Sequence, residues 1–321
     1  MELSNIYELV QEDLDKVEDR LRSLSNVDFP HLSELLDYSL KSSGKRIRPV
    51  LTLLAGKFYD YNLDYLLPMA TAIEVMHTAT LVHDDAIDNS LVRRDRPTVY
   101  KLWGAEEAVL LGDYMFAEAG ALTASTQNLR VIKLFADTLK TISRGELNQA
   151  FYAFNVEQSY QQYIQRVSKK TAALFSMATE SGAALSQAPE ESIQLLIEYA
   201  YNLGIAFQIV DDILDFIGTE EELGKPVGSD LAQGTLTLPA ILLLKYYPKD
   251  NPVREFFSNR DEPDNIKRAI ELISDSPIID ECYQVASDYC SKACHNLNLL
   301  PDNVSRQSLI QLADFLIYRK R

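Results

Sequence analysis

The sequence predicts an all-α protein folded as one large domain, on three observations. Apolar residues recur at helical rather than alternating spacing along most of the chain. Glycine and proline, 12 of each in 321 residues, fall below the roughly 12% of average usage, leaving few breaks for strands and turns. No Pro/Ser-rich linker or shift in composition divides the chain, so a single domain over residues 1–321 is expected.

Residues 3–24 carry apolar positions at helical spacing among many acids, as an amphipathic surface helix does. Residues 31–42 continue helical until Ser42-Ser43-Gly44-Lys45-Arg46-Ile47-Arg48-Pro49 breaks them; Gly44 permits close approach of a ligand, and Pro49 suits the first turn of a helix reaching Tyr59. Residues 66–88 form a long helix with Pro68 near its start. A polar loop, Asn89 to Arg96, leads to Pro97-Thr98. Helices are expected at about 105–124 and 128–155, with shorter ones to about 186 and a long one at 190–216. Gly218 to Pro239 holds Gly218, Gly224, Gly228 and Gly234 and reads as a flexible lid over about 218–239. Helices near 236–247, 263–273, 277–296 and 303–318 complete the chain, with Pro263 opening one of them.

The long apolar runs are interrupted by charges short of a membrane span, and Met1-Glu2-Leu3-Ser4-Asn5 lacks the basic and apolar regions of a signal peptide. A cytoplasmic protein is expected. Cys282, Cys290 and Cys294 lack a second paired ligand set for metal and read as reduced, partly buried thiols. A net charge of −16 argues against nucleic acid. Against that background the basic islands Lys41–Arg48, Arg93-Arg94-x-Arg96, Lys169-Lys170 and Arg319-Lys320-Arg321 read as grips for an anion such as phosphate.

Two stretches concentrate the chemistry. Leu81-Val82-His83-Asp84-Asp85-Ala86-Ile87-Asp88 and Gln208-Ile209-Val210-Asp211-Asp212-Ile213-Leu214-Asp215 each end an apolar run in a DDxxD cluster. Residues four apart stack on one helix face, so Asp84 lies over Asp88 and Asp211 over Asp215, with Asp85 and Asp212 about 100° round. A lone DDxxD is usually a solvated helix face. Here the flanks read as core, and carboxylates beside buried apolar surface need partners or a cation. Stacked acids repel, and at the C-terminal end of residues 66–88 they also oppose the helix dipole. A hard ion bound by oxygen, such as Mg²⁺, relieves both conflicts. Two clusters facing each other would hold Mg²⁺ around a polyphosphate.

Several spaced motifs occur together in one order. Gly44-Lys45-Arg46-x-Arg48-Pro49 is followed by Asp84-Asp85-x-x-Asp88 with Arg93-Arg94 and Pro97-Thr98. Then come Gly112-Asp113-Tyr114, Gly145-Glu146-Leu147-x-Gln149, Lys170-Thr171, Gln208-x-x-Asp211-Asp212-x-x-Asp215 and Gly224-Lys225-x-x-Gly228-x-Asp230. This series resembles the trans-isoprenyl diphosphate synthases (polyprenyl synthetases) over nearly the whole chain. Two departures stand out: Asp95 replaces the family's usual Gly, and Thr235 follows Gly234 where Lys is common.

The resemblance implies an all-α fold around a deep central cavity, a homodimer, and head-to-tail addition of isopentenyl diphosphate to an allylic diphosphate such as farnesyl diphosphate. It implies Asp84, Asp88 and Asp211 as the principal Mg²⁺ contacts, with Asp85, Asp212 and Asp215 closely associated. Arg93, Lys170 and Lys225 would hold the allylic diphosphate, with Gln208 and Thr171 nearby. Lys45, Arg48, His77 and Arg94 would hold isopentenyl diphosphate. Association with a membrane would come through the product.

Product length is read from the first aspartate helix. Ala79 and Thr80 lie roughly 6–7 Å deeper than Asp84 along the axis, where short-chain family members place aromatic floors. Both are small here, so a product of C30 or longer is expected, with Met76, Phe116, Phe151 or Phe154 as the candidate floor. A short-chain farnesyl or geranylgeranyl diphosphate synthase is the alternative.

Three rival readings are weighed. Glu74-x-x-His77 fits one half of a di-iron carboxylate site, but His31, His83 and His295 lack a Glu three residues back. A class I terpene cyclase would carry DDxxD without needing cations for a second diphosphate. An inactive partner subunit of a heteromeric synthase would be expected to lack intact aspartate clusters.

Overall fold

A computed structural model describes residues 3–41, 44–219, 226–262 and 264–318, with Tyr318 described for its backbone only. Ser42, Ser43, Gly224, Lys225, Pro263 and the terminal Arg319-Lys320-Arg321 lie outside the described residues.

The first half comprises α1 (Leu3–Tyr7), a 3₁₀ turn, α2 (Gln11–Ser23), α3 (Pro30–Leu40), α4 (Ile47–Gly56) and α5 (Leu63–Ile87). A hairpin of β1 (Val92–Arg93) and β2 (Arg96–Pro97) separates these from α6 (Val99–Trp103), α7 (Ala105–Ser125) and α8 (Leu129–Phe151). The second half holds α9 (Tyr160–Val167), a π-helical turn (Ser168–Ala172), α10 (Ala173–Leu185) and α11 (Glu190–Ile217). It closes with α12 (Ser229–Ala232), α13 (Leu238–Tyr246), α14 (Pro252–Ser258), α15 (Asp264–Ser274), α16 (Ile278–Leu297) and α17 (Val304–Tyr318).

The all-α expectation holds. Local sequence sets the helix starts: Asn62 accepts from the Asp64 N–H, Asn128 from those of Arg130 and Val131, and Ser159 forms a capping box with Gln162.

Three boundaries differ instructively. The helix expected over 3–24 breaks at Glu8–Val10, so that α1 packs on α17 while α2 packs on α5. The helix expected to reach 155 stops at Phe151, because Phe154 turns left-handed (φ 60°) and donates its N–H to the Gly234 carbonyl at 2.9 Å. The loop expected at 89–96 is a two-residue hairpin whose central residues, Arg94 and Asp95, both have positive φ (51° and 60°). That turn geometry explains the first departure, since Gly, Asn and Asp are the residues that tolerate it.

Of the region expected as a lid, residues 218, 219 and 226–239 are described. α12 fills residues 229–232, and Asp215 ties it down by accepting from Ser229 Oγ at 2.9 Å and from the Asp230 N–H at 3.2 Å.

Two apolar clusters form the interior. The larger gathers α2, α4, α5, α7, α10 and the first half of α11; the smaller gathers the second half of α11 with α13 to α16. α11 feeds both, through Tyr199, Leu203 and Ala206 on one side and Ile209, Val210 and Ile213 on the other.

By length and apolar character α5 and α11 do reach what a bilayer span needs, which corrects the expectation that every run falls short. Both lie mostly buried inside the protein as its central helices. Cys282 and Cys290 are buried and Cys294 half-buried, all as free thiols.

Candidate active site

The C-terminal ends of α5 and α11 open on one cavity of about 1030 Å³. Asp84 and Asp88 line it from α5, and Asp211 and Asp212 from α11. Asp88 is the residue that closes α5, its N–H donating to the Asp84 carbonyl at 2.8 Å. Asp230 also lines the cavity, and its charge acts on both Asp88 and Asp212.

The other two aspartates, Asp85 and Asp215, expected as acids closely associated with the metal contacts, are not part of the cavity lining. Asp85, 5% exposed, accepts from Arg93 Nε at 2.8 Å and does not line the cavity. Asp215, 1% exposed, is committed to Ser229 and Asp230. Each acid instead fixes a neighbouring element: Asp85 the hairpin that carries Arg93 and Arg94, Asp215 the start of α12. Asp212 faces the cavity with both carboxylate oxygens engaged, accepting from Tyr163 OH at 2.7 Å and Gln208 Nε2 at 2.8 Å. Gln208 in turn accepts from Thr171 Oγ1 at 2.6 Å. Burial first, then Asp230, pushes the Asp212 carboxyl up to about 7.

Cations share the same walls. Lys45, Arg46, Arg48, Arg93, Arg94 and Lys170 all line the cavity, with His77 and Thr171 among them. Lys170 reaches it from the π-helical turn at 168–172. Inserted residues of this kind commonly mark functional sites. Gly145 lets α8 approach that turn: a Cβ there would stand 3.2 Å from Lys169 Cβ and 3.4 Å from the Lys170 backbone nitrogen. The Lys170 ammonium sits 2.9 Å from Glu146 and 3.6 Å from Asp84. Burial opposes its charge, but Asp84 and Glu146 outweigh that and keep its pKa above the ordinary range.

The Arg48 guanidinium is half-buried and lies over the Phe175 ring, 4.9 Å from the centroid. Desolvation lowers it to about 10, leaving it a cation at neutral pH. Its Nε has no hydrogen-bond partner among the described residues, an orphaned donor that an anion's oxygen would satisfy. Desolvation, then Arg48, Arg94, Arg93 and Arg46, hold His77 well below its usual pKa, so it is neutral.

The donor set fits a hard divalent cation. Asp84, Asp88 and Asp211 offer carboxylate oxygens to the cavity, the ligand type Mg²⁺ prefers. Among the described residues no three His, Cys, Asp or Glu side chains converge on one point. An ion here would therefore complete its shell with water and phosphate oxygens, as Mg²⁺ commonly does.

Of the chain-length residues, Thr80 lines the cavity, whereas Met76 and Ala79 are fully buried behind it. Phe116 packs edge-on against His83. Phe151 is 81% exposed, and Phe154 packs against Phe256 and Phe257, so within one chain neither forms a floor. Sequence reasoning gave no role to Glu74, Glu146 or Tyr163. Glu146 was visible in its motif and Glu74 in its spacing from His77, while nothing local marked Tyr163.

Helices thus wall one cavity that gathers aspartates from two helix ends and a set of cations. The polyprenyl synthetase family profile matches residues 29–273. The chain is 36% identical to heptaprenyl diphosphate synthase component 2 of Bacillus subtilis, over 100% of this chain and 92% of that one. A decaprenyl diphosphate synthase from Rhodobacter capsulatus superposes with TM-score 0.92 at 34% identity, covering 100% of both chains. A polyprenyl synthase from Caulobacter crescentus, solved with calcium and isoprenyl diphosphate, superposes with TM-score 0.94 at 32% identity, over 100% and 98%. The chain belongs to the polyprenyl synthetase family.

Proposed function

We propose that this chain extends an allylic diphosphate, such as farnesyl diphosphate, by head-to-tail addition of isopentenyl diphosphate and releases a product of C30 or longer. One observation carries the reading: both aspartate pairs and the cations Arg48, Arg93, Arg94 and Lys170 line one cavity. The Caulobacter relative, solved with a divalent cation and an isoprenyl diphosphate, supports that content. Relatives named for heptaprenyl and decaprenyl products support the length, as does small Thr80 on the cavity wall.

In this reading Asp84, Asp88 and Asp211 hold Mg²⁺, which when bound neutralises charge developing on the leaving diphosphate. Lys170, Arg93 and, from outside the described residues, Lys225 hold that diphosphate. Lys170 exchanges its contact with Glu146 for phosphate oxygen. As the allylic C–O bond breaks, these fixed cations face the oxygens that gain charge. Arg48, Lys45, Arg94 and His77 hold isopentenyl diphosphate with its double bond toward the allylic carbon. Its π electrons form the new C–C bond, and a proton leaves the adjacent carbon to the released diphosphate. Apolar wall residues such as Leu174 and Phe207 exclude water, which would capture the cation.

Two cores fed by one helix support treating the chain as a single domain. The exposed apolar residues Val109, Leu110, Leu147 and Phe151 on α7 and α8 support a homodimer through that face. Three free thiols suit a reducing compartment such as the cytoplasm, with membrane contact made through the product.

Incubation of the purified chain alone with Mg²⁺, farnesyl diphosphate and labelled isopentenyl diphosphate tests the reading. Elongated chains of C30 or more support it. A cyclised product, chains halted at C20, or no turnover would overturn it.

A further inference from the structure

Arg46 differs from the cations on either side of it. It begins α4 in the left-handed conformation (φ 50°, ψ 30°). A non-glycine residue persists there only where its surroundings hold it. Those surroundings are two acids from separate helices. Arg46 Nε donates to Glu18 Oε1, and Nη2 to Glu18 Oε2 and to the Leu40 carbonyl, both at 3.3 Å. Nη1 donates to Glu74 Oε1 at 2.8 Å. All three guanidinium nitrogens are engaged, and the side chain is 9% exposed.

The neighbours in sequence are arranged otherwise. Lys45 is held by its backbone: Tyr7 OH donates to the Lys45 carbonyl at 2.8 Å, and the ammonium lies 5.8 Å from the centroid of the Phe315 ring. Arg48 keeps an unpartnered Nε at the cavity. Paired acids around Arg46 also prevent it from adding an uncompensated charge beside Arg48 and Arg94. Glu18 and Tyr7 themselves do not line the cavity.

We propose that Arg46 is a strut and not a diphosphate ligand. Glu18 from α2 and Glu74 from α5 grip it, and together with Tyr7 from α1 they position Lys45 and Arg48 for the diphosphate of isopentenyl diphosphate. The proposal rests on the assignment of that substrate to Lys45 and Arg48. It makes Glu18 and Tyr7 positioning residues, and gives the N-terminal helices a part in recognising one substrate and not the other.

The test is the pair of Michaelis constants measured on the full chain with Mg²⁺. Glu18→Gln keeps the side chain's shape and removes its charge. The expected result is a rise of about tenfold in KM for isopentenyl diphosphate, the scale of one charge-assisted hydrogen bond, with kcat and the allylic KM within about twofold. Tyr7→Phe, which deletes one hydroxyl, should move the same constant in the same direction by less. An equal rise in both KM values, or activity lost only in proportion to folded protein, would reduce Glu18 to a structural role and overturn the proposal. So would a fall in KM for isopentenyl diphosphate, because it would show Arg46 to be a ligand that Glu18 restrains. Arg48→Ala separates the layers. If it leaves that KM unchanged, the site assignment itself fails; if it raises the KM while Glu18→Gln does not, only the strut fails.

Discussion

The phenol of Tyr163 donates a 2.7 Å hydrogen bond to the Asp212 carboxylate, and both residues are almost completely buried. The bond joins α9 to the second aspartate cluster and leaves Asp212 committed to protein donors. Tyr163→Phe leaves a buried carboxylate oxygen without that donor, so unfolding in urea should show a loss of about 1–3 kcal/mol. Turnover should fall as well, because Gln208 alone would then orient Asp212.

Asp84 and Asp211 line one cavity from two different helices. Replacing either with Ala should lower kcat roughly 10²–10³-fold, the cost typical of removing one element of transition-state charge stabilisation. Helix content by circular dichroism should remain unchanged. Wild-type turnover from either variant would remove that aspartate from the reaction.

Product length should respond to position 80 more cleanly than to position 79. Thr80 lines the cavity, whereas Ala79 is fully buried. Thr80→Phe should shorten the chains seen by chromatography while the protein stays folded. Ala79→Tyr should also shorten them, with an overpacking loss of about 1–3 kcal/mol in stability. An unchanged product distribution from Thr80→Phe would refute the tunnel argument.

His77 is held neutral by burial and by the surrounding arginines. Its folded pKa lies below the unfolded one, so its contribution is intact above the unfolded pKa and is lost as pH falls through the ordinary histidine range. Wild type should therefore lose stability relative to His77→Gln on acidification. Bringing a diphosphate against Arg48 and Arg94 raises the His77 pKa, so binding should take up protons. Calorimetry of isopentenyl diphosphate binding in buffers of different ionisation heat would detect the uptake.

Asp95 occupies the second central position of the hairpin turn at φ 60°. Asp95→Val should destabilise by about 1–2 kcal/mol, because a β-branched residue fits that conformation poorly. Asp95→Gly should change stability by no more than about 1 kcal/mol, since relief of strain is offset by chain entropy. Thermal unfolding of the two variants distinguishes them.

Much of this site could be read from sequence because its chemistry is local. The pairing of Asp84 with Asp88 follows from helical period, and each cation lies within a short motif; that Asp212 and not Asp215 accompanies Asp211 in the cavity does not follow from it. What stayed hidden depends on which way a side chain turns. Asp85 and Asp215 have the same spacing as their partners, yet Arg93 and Ser229 draw them away from the cavity. The grip of Glu18 on Arg46 spans 28 residues and that of Tyr163 on Asp212 spans 49, distances over which periodicity carries no information. The hairpin at 92–97 was missed because Arg94-Asp95 lacks the glycine that usually announces such a turn.

The extra residue in the π-helical turn at 168–172 turns the helical face before it by about 100° relative to the face after it. Lys170 can therefore aim at the chemistry while α10 keeps the orientation its own packing demands. A single codon lost from this turn would bring the two back into phase and swing the ammonium away with the fold otherwise preserved.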